Sequence, residues 1–258
     1  MEFIENEGPV FKNPISNSTD IKNLNHFDPE SLDYVYKAVN NIKSSLPEEI
    51  PLIGFCGSPW TLAAYSIEGR SSKDFEKTLG FLESNQKDVH DLLTKYTDAC
   101  FLYLRKQVQS GADVIQIFDS WANLLTKEDL IEFSFNYINS LISALKLDPI
   151  TKNIPVIIFA RNPKCNIEEL INTSADCISL FWSMNDLNFE VAKNKVAIQG
   201  NLDPKILLES DETIKRETYK ILERFKEYPG YIFNLGHGIT PDISPDKIKY
   251  LTNIVREY

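Results

Sequence analysis

The sequence predicts an α/β protein whose parallel strands wind into a (β/α) barrel with six recognisable strand–helix units. Two observations carry this. Six short apolar runs alternate with longer segments of helical period, and small or polar residues gather at the C-terminal ends of the runs. Strand then helix, repeated, joins parallel strands through right-handed crossovers. A barrel keeps its chemistry at that C-terminal face. A doubly wound sheet would show a Gly-rich phosphate loop after its first strand, and neither G-x-G-x-x-G nor G-x-x-x-x-G-K-[ST] occurs.

Taken in order, residues 1–50 read as an extended arm, marked by Glu7-Gly8-Pro9 and Asn13-Pro14, leading to a helix over residues 30–45. No strand is expected there. The runs follow: PLIGFC (51–56), ADVIQIF (112–118), PVIIFA (155–160), DCISLFW (176–182), KVAIQG (195–200) and YIFNLG (231–236). Each is short, continuous and rich in Val, Ile and Phe, as strands buried on both faces should be. The first ends in Gly57-Ser58-Pro59, where Ser58 can cap a helix and Pro59 suits its first turn. The longest helix sets Val89, Leu92, Leu93, Tyr96, Cys100, Tyr103, Leu104 and Val108 on one face and stops at Gly111. Thr126 with Asp129, and Asn166 before Glu168-Glu169, read as further helix starts. The whole forms one domain, residues 1–258, two strands short of a closed barrel. Its open edges would leave backbone groups unpaired unless something covers them.

The totals exclude several classes. A chain of 258 residues, 43% hydrophobic, can bury one large core. No apolar run approaches the roughly 20 residues that span a bilayer. MEFIENEGPVF has no basic-then-apolar leader, so the cytoplasm is the expected compartment. Cys56, Cys100, Cys165 and Cys177 are scattered, and His26, His90 and His237 sit near none of them. Buried reduced thiols and no metal site are expected. A net charge of −10 argues against nucleic acid or an anionic membrane as partner.

Several junctions carry a family likeness. "PLIGFCGSPWTLAAYSIEGRSSKDF", "GADVIQIFDSWANLL", "VAIQGNLDP" and "YIFNLGHGITPDISPDKI" resemble the uroporphyrinogen decarboxylase family, and the arm "EFIENEGPVFKNPI" fits it too. The resemblance runs in order along essentially the whole chain. It implies a (β/α)8 TIM barrel, a homodimer, and an enzyme of haem and porphyrin biosynthesis working without metal or organic cofactor. That reaction converts the four acetate side chains of uroporphyrinogen III to methyls, giving coproporphyrinogen III and carbon dioxide. By the same resemblance Tyr65, Ser120 and His237 contact the tetrapyrrole, with Tyr65 aiming its hydroxyl at a carboxylate. Phe118 adds an apolar wall, and Arg161 stands where a lysine is common. On spacing alone, Tyr65 reads more readily as a helix-packing residue than as a ligand contact, while Ser120 reads equally as a cap and His237 equally as a loop histidine freed by its glycines. Asp119 reads as an acid–base group or a cap, and His90 as solvated.

Losing carbon dioxide from an acetate on a pyrrole requires a sink for the electron pair. Protonating the ring creates one, so the site needs an acid, an anion to steady the charged ring, and arginines for the carboxylates. The family's arginine-rich motif and key aspartate are expected upstream of the arm; no W-M-R-Q-A-G-R-like string occurs here, so no catalytic residue is identifiable. Phe181 also replaces an acidic residue usual in the family, and Arg70 a glycine. The alternatives are an inactive relative, surviving as a binding module or gene remnant, and a zinc-dependent methyltransferase of the same superfamily, against which the dispersed cysteines count.

Overall fold

The arm contains two short strands, β1 (Glu2–Ile4) and β2 (Gly8–Val10), paired antiparallel with Ile4 opposite Gly8. This corrects the expectation of an arm without strands. Three-residue strands are too short to show alternation, and Gly8-Pro9 carries the chemistry of a loop. The computed structural model describes residues 2–4, 8–185 and 187–258, so Glu7 of the arm lies outside the described residues. Helix α1 (Ser18–Lys22) follows, its first N–H groups held by the Asn17 side chain. A 3₁₀ turn, Pro29–Leu32, runs into α2 (Asp33–Ser45), the helix predicted for that stretch.

The six apolar runs become six parallel strands of one sheet, ordered as they occur in the chain: β3 (Ile53–Gly57), β4 (Val114–Asp119), β5 (Val156–Ala160), β6 (Cys177–Ser179), β7 (Ala197–Gln199) and β8 (Tyr231–Ile232). Between β3 and β4 lie α3 (Pro59–Glu68), α4 (Glu76–Ser84) and α5 (Gln86–Gln109). Ser58 caps α3 by accepting the Thr61 N–H at 3.0 Å, and Gly69 ends it at φ 85°, in the left-handed region that favours glycine. After β4, α6 (Lys127–Asp129) passes through a π-helical turn, Leu130–Phe135, into α7 (Asn136–Leu147). The remaining helices are α8 (Ile167–Ile171), α9 (Asp211–Phe225) and α10 (Pro245–Glu257). One crossover departs from the predicted alternation: among the described residues, only the 3₁₀ turn Phe189–Val191 stands between β6 and β7.

The sheet does not close; β3 and β8 are its two edges. Interior-facing residues beside the gap are therefore wet: Ile53 is 43%, Phe55 59% and Ile232 43% exposed. Helix α5 answers part of the edge problem. Gln107 uses both ends of its amide on Phe55, accepting from the backbone N–H at 3.0 Å and donating to the carbonyl at 2.9 Å. The Cys100 thiol donates to the Gly57 carbonyl at 3.5 Å. A helix side chain thus stands in for a neighbouring strand at the residue where pairing is missing.

Candidate functional site

A cleft of about 400 Å³ opens at the C-terminal ends of β4, β5 and β6 and under the loop after β8. Period-two alternation sets its wall. In β4, Ile115, Ile117 and Asp119 point into the helix layer and are fully buried, while Gln116 and Phe118 face the cleft. Ser120 follows; its N–H donates to Thr61 Oγ1 at 2.9 Å, and its hydroxyl has no partner among the described residues. Phe159 of β5 lies one register step across from Phe118, their ring centroids 5.9 Å apart. Ser179 of β6 completes that side.

His237 enters from the loop after β8. A Cβ on Gly236 would come within 2.3 Å of the Trp182 backbone nitrogen, so only glycine allows this approach. The His237 ring lies edge-on to Phe181, centroids 5.9 Å apart, and 6.2 Å from Phe159. Phe181 therefore offers the imidazole an apolar face where an acid would have offered a hydrogen bond.

Phe118, Ser120 and His237 are brought together on one cavity; Tyr65 and Arg161 are placed beside it. Tyr65 packs edge-on against Trp121 at 5.7 Å and Phe75 at 6.0 Å, and the Arg161 guanidinium sits over the Trp121 ring at 5.4 Å. The two thus flank Trp121, the residue following Ser120, and neither lines the cleft. Trp121 also packs against Phe75, the ring centroids 4.3 Å apart and the planes tilted by 46°, while its buried indole N–H finds no partner among the described residues.

Asp119 turns away from the cleft. It accepts from Ser58 Oγ at 3.0 Å, Thr61 Oγ1 at 3.1 Å and Ser134 Oγ, tying β4 to α3 and to the π turn. Burial pushes its carboxyl above the usual range, opposed by these three hydroxyls. Its role is structural. His90 is paired, not free: Nδ1 lies 2.8 Å from the Tyr137 hydroxyl and Nε2 3.2 Å from Glu132, on the outer helix layer. Cys56, Cys100 and Cys177 are buried thiols, and burial pushes Cys165 and Cys177 up to about 12. Sequence reasoning passed over Gln116, Phe159 and Ser179. The signal for Gln116 was present, since it stands two residues before Phe118 on the same face.

The family model for uroporphyrinogen decarboxylase (URO-D) matches residues 1–258. The chain belongs to the uroporphyrinogen decarboxylase family. Curated uroporphyrinogen decarboxylases similar to it include that of Vesicomyosocius okutanii, 42% identical over 258 residues, covering 99% of this chain and 74% of the relative. That of Wigglesworthia glossinidia brevipalpis is 43% identical over 258 residues, covering 99% of this chain and 71% of the relative. Among solved structures, a methyltransferase from Methanosarcina mazei superposes with a TM-score of 0.73 at 18% identity, covering 97% of this chain and 71% of that one. A B12-independent methionine synthase from Shewanella sp. W3-18-1 gives 0.57 at 15%, covering 86% and 66%. At such identities these two show a shared fold alone. In this decarboxylase-family chain no group of three His, Cys, Asp or Glu side chains is placed to hold a metal, among the described residues.

Proposed function

We propose that the chain supplies the cleft of a uroporphyrinogen decarboxylase, binding uroporphyrinogen III while carbon dioxide leaves its four acetate side chains. The family match along the whole sequence carries this reading. The cleft supports it, gathering Phe118, Ser120 and His237 on one cavity. In each step the bond between the carboxylate carbon and its methylene breaks. The electron pair passes into the protonated pyrrole, a proton then adds to the exocyclic methylene to complete the methyl, and the ring gives back the proton it took. Ser120 and His237 offer polar contacts to the substrate, Phe118 a ring face. Tyr65, packed against Trp121 beside the cleft, offers its hydroxyl to a carboxylate at the rim, and Arg161 gives that rim a cation.

Binding many carboxylates in a chain of net charge −10 needs more cations than this rim holds. Each missing charge-assisted hydrogen bond forgoes roughly 1.5–3 kcal/mol. A polypeptide of residues 1–258 is therefore expected to bind uroporphyrinogen weakly and turn it over little on its own. Separating products by carboxyl number after incubation tests this, and a rate like a complete enzyme's would overturn it. Ser120→Ala and His237→Ala are expected to weaken tetrapyrrole binding several-fold with the melting temperature held; no binding by the wild type would sink the reading. The same reading takes the protein to be a cytoplasmic homodimer; light scattering checks the dimer and cell fractionation the compartment.

A further inference from the structure

The floor of the cleft contains an amide with no protein partner among the described residues. Gln116 is only 7% exposed and lines the cavity, yet its side chain makes no hydrogen bond among the described residues. A primary amide brings two donors and an acceptor oxygen. No protein group among the described residues satisfies them, and they open onto the cavity.

Ser179, 4% exposed, lines the same cavity from β6, with β5 between its strand and that of Gln116. Its oxygen accepts from Gln199 Nε2 at 3.0 Å, and its own proton has no acceptor among the described residues. Above these groups stand the rings of Phe118 and Phe159. The cleft is therefore an aromatic throat over a floor of two neutral donors, with no Lys, Arg, Asp or Glu in its lining among the described residues.

We propose that Gln116 and Ser179 form a neutral two-donor subsite that receives one side-arm carboxyl group of the bound tetrapyrrole, which makes Gln116 a substrate-binding residue. The inference rests on the decarboxylase reading. A carboxylate is acceptor-only and matches two N–H or O–H donors, and bonds to a charged acceptor are the stronger kind. A site whose buried polar groups are satisfied only by the ligand also rejects analogues lacking that group. In the free protein the amide faces the open cavity, so solvent rather than a protein group meets its donors until a ligand replaces it.

The test measures binding and stability separately. Wild type, Gln116→Leu and Gln116→Glu are titrated with uroporphyrin III by fluorescence, and each is melted without ligand. Gln116→Leu is expected to bind about tenfold more weakly while melting within a few degrees of the wild type. Gln116→Glu, nearly the same shape but acceptor-only and negative, is expected to bind more weakly still. Affinity unchanged in both variants would overturn the subsite, with the wild type's binding leaving the decarboxylase reading intact. A large fall in melting temperature for Gln116→Leu, matching its loss of affinity, would overturn it too, since the amide would then act in the fold and not on the ligand. If the wild type binds no porphyrin, the decarboxylase reading falls first.

Discussion

Two aspartates bracket β4 and respond to pH in opposite directions. Asp113, at its start, accepts from the Leu52 N–H and from Lys43 Nζ, each at 2.7 Å, and these hold its carboxyl below the usual range. Its contribution is present above the ordinary carboxylate value and is lost as pH falls through its lower folded value. Asp119, at the other end, is raised by burial. The folded chain then holds a proton where the unfolded chain has released it, so this contribution shrinks as pH rises through the folded value. Urea unfolding across the acid range should show Asp113→Asn losing the acid-side decline and Asp119→Asn losing the fall above it. Asp119→Ala removes the acceptor of three hydroxyls at a fully buried point and is expected to destabilise by about 3 kcal/mol or more.

At the scale of elements, the open side of β3 depends on a helix. Gln107→Leu strips both partners from the Phe55 backbone and is expected to cost about 1–3 kcal/mol, with faster hydrogen exchange at the Phe55 amide. An unchanged exchange rate would show that the strand edge does not need α5. The loop after β8 depends on a close approach of backbones. Gly236→Ala drives a Cβ into Trp182 and is expected to displace His237 and weaken tetrapyrrole binding more than Ser120→Ala does. The π turn in the α6–α7 helix buries Leu130, Phe133, Ser134 and Phe135 together and so delivers Ser134 to Asp119. An unbroken helical period predicts no such turn.

For the whole molecule, an unclosed parallel sheet leaves apolar interior in water. Burying a large apolar side chain is worth about 1.5–3 kcal/mol, and Ile53, Phe55 and Ile232 forgo much of it. Residues 1–258 alone are expected to unfold in a broad, low transition or to self-associate through these edges. Calorimetry with light scattering checks this, and a sharp cooperative melt of a monomer would contradict it. Among the described residues no helix is long and apolar enough to cross a membrane.

All six sheet strands, the caps at Ser58, Thr126 and Asn166, and the helix end at Gly111 were legible because each depends on neighbours along the chain. So was the family, whose motifs are contiguous. Only the tertiary structure decided that Asp119 faces the helices, that Trp121 stands between Tyr65 and Arg161, and that Gln116 lies bare on the cleft floor. These facts depend on strand register and on contacts between residues tens of positions apart. Local periodicity can say that a residue is buried, but which neighbours it meets is settled by how the sheet and helices close around it.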